Sequence, residues 1–102
     1  MYVPLFTAFG PEAIAHRLSV SGSKMLVSNQ EQMKKVNNIS LVEQIFVIDD
    51  DTPPAHNFWG QLENASNHYE TEKTTLMDPS IIQFTSGSQG CQKELFGGIK
   101  FY

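Results

Sequence analysis

Apolar positions along the chain fall into short runs separated by polar, Gly or Pro punctuation, and the runs alternate between strand-like and helix-like spacing. Tyr2 to Phe6 is a β-prone run. Gly10-Pro11-Glu12 predicts a helix start: proline suits the first helical position, and Glu12 meets the positive end of the helix dipole. Ile14 and Leu18, one turn apart, mark the apolar face of that helix, and Gly22 predicts its stop. Lys24 to Val27 reads as a second strand. Ser28-Asn29-Gln30-Glu31 has capping-box spacing and predicts a helix with Met33 and Val36 on its apolar side and Lys34 and Lys35 on its solvated side. Gln44 to Ile48 reads as a third strand, and its unbroken Ile45-Phe46-Val47-Ile48 run predicts cover on both faces. Asp49-Asp50-Asp51-Thr52-Pro53-Pro54 ends it. Asn57 to Ala65 predicts a short helix with Phe58 and Leu62 on one face. Asn64 to Met77 predicts a polar connection, broken by Asp78-Pro79 before a buried strand at Ile81 to Phe84.

This alternation implies an α/β fold: a mainly parallel sheet of about four strands with helices on its faces. Ile14, Leu18, Leu26 and Val47 are expected in the core, and Ile45–Ile48 and Ile81–Phe84 as interior strands. At 102 residues the chain reads as one unit, residues 1–102, or a piece of one. Ligands of such sheets bind at the carboxyl ends of strands, which directs attention to the residues just after Phe84.

That stretch is Thr85-Ser86-Gly87-Ser88-Gln89-Gly90-Cys91-Gln92-Lys93-Glu94. Its composition suits phosphate. Glycines allow close backbone approach, hydroxyls and N–H groups donate hydrogen bonds, and Lys93 brings a positive charge. It is not a Walker A loop, because no Gly-Lys-Ser/Thr follows at the required spacing. It is expected to be an exposed, mobile loop in the free protein, since it has few groups with which to pack.

Charge and cysteine usage narrow the partners. A formal net charge of −4 argues against nucleic acid as a partner. No apolar run is long enough to predict a membrane span. The single cysteine excludes an intrachain disulfide and fits a reducing, cytoplasmic setting. Met1 leads straight into a predicted strand, so no signal peptide is expected.

The stretch from Thr85 resembles the phosphate-binding loop of AMP-forming acyl-CoA synthetases and related adenylation enzymes, roughly Thr-Ser-Gly-Ser/Thr-Thr-Gly-x-Pro-Lys-Gly. Thr85, Ser86, Gly87, Ser88, Gly90 and Lys93 match; Gln89, Gln92 and Glu94 depart. Tyr2 to Leu18, followed by Ser21-Gly22-Ser23-Lys24, is similar to the segment upstream of that loop in acetyl- and medium-chain acyl-CoA synthetases. The resemblance implies a part of the N-terminal domain of an ATP-dependent carboxylate–CoA ligase of fatty acid metabolism. It implies ATP, Mg²⁺, coenzyme A and a carboxylic acid as cofactors and substrates. It also implies ATP phosphate binding by Thr85, Ser86, Gly87, Ser88, Gln89, Gly90 and Lys93. No residue of the chain is the nucleophile, which is the substrate carboxylate. The family's downstream aromatic-Gly-x-Thr-Glu motif, ribose-binding Asp and C-terminal catalytic Lys have no match here. The chain therefore reads as a fragment, inactive by itself and prone to self-association through exposed sheet edges. Two alternatives differ in class: a non-catalytic nucleotide-binding or interaction module, and a flavodoxin-like binding protein. In the latter, however, such loops usually follow the first strand.

Other polar residues read as structural. Cys91 lies near Lys93 but has no base or orienting partner. Asp49, Asp50 and Asp51 fit a solvated strand exit better than a Mg²⁺ site. His16, His56 and His68 lack metal-ligand spacing. Phe58 and Trp59 are expected in the core or in helix packing rather than as a base-stacking platform.

Overall fold

The computed structural model describes residues 1–50, 55–86 and 92–97. It divides into two compact units, Phe6–Tyr69 and Met1–Leu5 with Glu70–Tyr102.

The first unit is a parallel α/β layer. Its elements are α1 (Pro11–Ser21), β1 (Met25–Ser28), α2 (Gln30–Met33), a 3-10 turn (Ile39–Leu41), β2 (Gln44–Val47), β3 (His56–Asn57) and α3 (Phe58–Asn64). The three strands are ordered β1-β2-β3, and both pairings are parallel. β2 is thus the interior strand. Helix α1 starts as its sequence predicts, with Pro11 in the first turn after Gly10 and with Glu12 beside the N-terminus. It stops at Gly22, which adopts φ 61° and donates its N–H to the Ser19 carbonyl at 3.3 Å. Ser23 N–H closes the Schellman arrangement on the Leu18 carbonyl at 3.4 Å.

The buried side chains of this unit are Ile14, Arg17 and Leu18 from α1 and Leu26, Val42, Ile45 and Val47 from the sheet region. All four expected core residues are among them. The β2 run is covered on one face only, however: Ile45 and Val47 are buried, Phe46 is half-buried and Ile48 is exposed. Alternation of side chains along a strand therefore prevails over the continuous apolar pattern, and the second face lacks cover from the elements of this unit.

Three local expectations are corrected here. α2 is a single turn that ends at Met33, so Val36 lies beyond it. Its cap is Asn29, whose Oδ1 accepts the Gln32 N–H at 2.9 Å, while Ser28 remains the last residue of β1. Lys35 is not simply solvated: its Nζ donates to the Thr7 carbonyl at 2.7 Å. Trp59 is no core residue, being 56% exposed, with its ring edge-on to Phe58 at 5.1 Å.

The second unit is built on an antiparallel ladder of β4 (Ile81–Ser86) and β5 (Gln92–Gly97). β4 is thus not a fourth strand of the parallel sheet. The expected first strand, Tyr2 to Phe6, reduces to one parallel bridge between Tyr2 and Ile81. It is made by Tyr2 N–H to Ser80 O at 2.8 Å and Ile82 N–H to Tyr2 O at 2.9 Å. Pro4 cannot donate to a ladder, which accounts for the short pairing. Ile82 is the core residue of this unit among those described. The connection from Asn64 to Met77 is exposed throughout, as its polarity predicts.

Candidate functional site

Two regions carry polar chemistry. The first is the carboxyl edge of the parallel sheet, where β1 and β2 release their chains. Asp49 Oδ1 accepts the Gln30 N–H at 2.7 Å and so adds a second cap to α2 from across the sheet. Asp50 Oδ2 accepts from the Gln30 side chain at 3.3 Å, and the Asp50 carbonyl accepts from Asn57 Nδ2 at 3.3 Å. Asn57 Oδ1 in turn accepts the Gly60 N–H at 2.8 Å and caps α3. The acidic stretch thus ties strand exits to helix starts. Asp51 lies outside the described residues. Among those described, no group of three His, Cys, Asp or Glu side chains is placed to hold a metal ion. His16, His56 and His68 are exposed, and the His56 ring lies 5.8 Å from that of Phe46.

Arg17 escaped the sequence reading. It is 3% exposed, donates from Nη1 to the Ala13 carbonyl at 2.9 Å, and sets its guanidinium 3.7 Å from the centre of the Phe9 ring. Burial lowers its pKa from the usual arginine value, yet the group remains a cation at any physiological pH. The Phe9 ring is itself packed against Phe6 at 5.5 Å. Arg17 and Lys35 thereby hold the Phe6–Gly10 turn from two sides, through a cation–π contact and a hydrogen bond to Thr7. The signal was present in the spacing: Arg17 follows Ile14 by three residues and precedes Leu18, on the buried side of α1.

The second region is the end of the β4–β5 ladder next to segment 87–91. Thr85 and Ser86 are the last two positions of β4, and Lys93 is the second of β5. The ladder pairs Thr85 with Lys93 and Ser86 with Gln92. Three of the expected phosphate-binding residues are therefore strand positions rather than parts of a loose loop, and the ladder brings them to one end of the strand pair. Gly87, Ser88, Gln89, Gly90 and Cys91 lie outside the described residues. Glu94 pairs with Phe84, one position further from segment 87–91 than Lys93.

No helix among the described residues is long and apolar enough to cross a membrane.

Known proteins resemble this chain in sequence and in fold. The chain is 28% identical to the acetyl-coenzyme A synthetase of Escherichia coli O157:H7, over 96% of this chain and 19% of the relative. It is 29% identical to the human mitochondrial acyl-coenzyme A synthetase ACSM5, over 89% of this chain and 17% of the relative. A crystal structure of a Brucella canis acyl-CoA synthetase superposes with a TM-score of 0.81 at 28% identity, covering 94% of this chain and 18% of that one. The chain thus spans about a fifth of the length of the curated relatives that it matches. The flavodoxin-like alternative is not favoured by these similarities. The sequence model of the AMP-binding enzyme family matches residues 1–94, from Tyr2 and the α1 segment through β4 to Lys93 and Glu94, and the chain belongs to that family.

Proposed function

We propose that this chain is the polyphosphate-gripping part of an ATP-dependent, AMP-forming carboxylate–CoA ligase. The observation that carries the reading is the β4–β5 ladder: it sets Thr85 and Ser86 on one arm and Lys93 on the other, joined by the Gly- and Ser-containing segment 87–91. The chemistry of this donor set fits a nucleotide polyphosphate. Thr85, Ser86 and Ser88 carry hydroxyl donors, Gly87, Gln89 and Gly90 offer backbone N–H groups, and Lys93 carries the compensating charge.

In this reading the substrate carboxylate attacks the α-phosphorus of ATP and pyrophosphate leaves with an acyl-adenylate formed; the thiol of coenzyme A then displaces AMP. Negative charge builds on the departing β- and γ-phosphates, and the task of the β4–β5 end is to hold those phosphates and offset that charge. Mg²⁺ enters bound to ATP and supplies further charge neutralisation. The chain's own contribution is binding and orientation. A place in fatty acid activation belongs to the same reading.

Isothermal titration with ATP–Mg²⁺, AMP and FMN tests it. ATP–Mg²⁺ binding that exceeds AMP binding and is lost in Lys93→Ala supports the polyphosphate site. FMN binding without ATP binding, or ATP binding indifferent to Lys93→Ala, rejects it.

A further inference from the structure

β4 begins on a fixed base and ends on the candidate ligand groups. At Ile81 it has a partner on each edge, Gly97 of β5 on one and Tyr2 on the other. Tyr2 uses both of its backbone groups there: its N–H donates to the Ser80 carbonyl at 2.8 Å, and its carbonyl accepts the Ile82 N–H at 2.9 Å. Just upstream, Thr75 and Asp78 close a turn. The Asp78 N–H donates to the Thr75 carbonyl at 3.1 Å, and Asp78 Oδ2 accepts the Thr75 N–H at 2.6 Å. Pro79 follows with its restricted φ and leads into the paired residues. Met1–Leu5 belong to this unit although all of Phe6–Tyr69 lies between them and Glu70 in sequence. The Tyr2 side chain is exposed, so the pairing is a backbone affair.

We propose that Met1–Leu5 is a positioning strap for the polyphosphate end: by pairing with Ser80 and Ile82 it holds β4 at its entry, and so sets Thr85 and Ser86 against Lys93 before nucleotide arrives. The inference deepens the proposed function and rests on it. The physical reason is the weakness of a lone strand pair. Two antiparallel strands are marginal in water, and a third strand or a packed face is needed to hold them. Tyr2 supplies the third partner, and it does so beside Ile82, the buried residue of this unit. Thr85 and Ser86 lie further along the same extended strand, and the β5 register places Lys93 and Gln92 opposite them. Donors that converge only part of the time bind only in that proportion, because apparent affinity scales with the fraction of chains in the competent arrangement. A strap that keeps the ladder formed therefore acts on nucleotide affinity without touching nucleotide.

The test titrates ATP–Mg²⁺ into the 102-residue chain, the same chain lacking Met1–Val3, and Tyr2→Ala, all well below their unfolding midpoints. The truncated chain should bind about tenfold more weakly, as expected if its competent fraction falls to roughly a tenth. Tyr2→Ala keeps the backbone groups and should bind within about twofold of the parent. Hydrogen exchange at the Ile82 amide of the full chain gives the reciprocal reading. Saturating ATP–Mg²⁺ should slow it, because a ligand that needs the ladder closed must by linkage stabilise the Tyr2 pairing. That measurement keeps the test decisive if the truncated chain does not fold. Equal affinity in the full and truncated chains, with only the unfolding midpoint lowered, overturns the inference and leaves the polyphosphate reading standing. An Ile82 amide indifferent to bound ATP–Mg²⁺ overturns it as well, as does a loss in Tyr2→Ala equal to that of the truncation. Failure of the full chain to bind ATP–Mg²⁺ rejects the polyphosphate reading itself and the strap with it.

Discussion

The two units use their polar residues in opposite ways. In Phe6–Tyr69, side chains that look chemically capable are consumed by structure: Asn29 and Asp49 cap α2, Asn57 caps α3, and Arg17 lies buried against Phe9. In the β4–β5 unit, Thr85, Ser86 and Lys93 occupy the end of a two-stranded ladder next to segment 87–91, with Ile82 as the core residue among those described. The contrast teaches that polar composition alone does not mark a site. The same residue types are scaffold where strand exits must be tied to helix starts, and candidate ligand groups where a strand pair gathers them at its end. Stability should therefore respond to substitutions in the first unit and binding to substitutions in the second.

The largest expected effect concerns turnover. Catalysis needs acid, ATP, Mg²⁺ and thiol positioned together, and each misplaced component costs orders of magnitude. The 102-residue chain should release no pyrophosphate above background with acetate, butyrate, octanoate or benzoate. Robust acid-dependent release, lost on Lys93→Ala, would show that the β4–β5 end is a working site rather than one part of it.

Next is the scaffold. Leu18 is 3% exposed, and Leu18→Ala should cost about 2–5 kcal/mol in urea unfolding, a large share of the stability of any small domain. A loss under about 1 kcal/mol would mean that the first unit is not cooperatively packed around α1. On the other side of the comparison, Lys93→Ala should weaken ATP–Mg²⁺ about tenfold, or ~1.4 kcal/mol, with the unfolding midpoint unchanged. A shifted midpoint would give Lys93 a structural role instead of a binding one.

Two smaller effects sharpen the contrast. Gly22 holds φ 61° with no atom within 4 Å of a Cβ placed on it, so Gly22→Ala should lose about 1 kcal/mol from backbone strain alone, read by thermal unfolding. A neutral substitution would show that α1 can end without its left-handed stop. The smallest effect is expected at Glu94. Its sequence position beside Lys93 suggests repulsion of phosphate and hence tighter binding in Glu94→Gly. The ladder pairs Glu94 with Phe84, one position further from segment 87–91 than Lys93, and salt screens a charge at that remove, so the gain should stay below about threefold. A tenfold gain by titration calorimetry would place the carboxylate beside the phosphates after all.

Much of the first unit was legible. The Pro11 start and Gly22 stop of α1, and the burial of Ile14, Leu18, Leu26 and Val47, follow from local rules of capping and periodicity that act within a few residues. The short α2 was less legible: Ser28 and Asn29 compete for the cap, and the choice depends on β1 holding Ser28 in its ladder with Val47, a contact remote in sequence. Asp49 was readable as a polar strand exit but not as the partner of Gln30, nineteen positions away. At the β4–β5 end, the residues suited to phosphate were visible in composition, but their strand positions were not. Thr85 and Ser86 look like turn residues until Gln92–Gly97 is found to pair with β4.

By itself the sequence determined the α/β class, the core positions of α1, β1 and β2, and the phosphate-suited residues around the Gly- and Ser-containing segment, because each rests on short-range chemistry: side-chain period, backbone freedom at glycine, and the donors a residue carries. Only the tertiary structure decided which face of β2 is covered, that β4 pairs antiparallel with β5 instead of joining the parallel sheet, and that Arg17 is buried. These outcomes depend on which distant segments meet, and register between strands and cover over a sheet face are set by partners that local pattern does not name.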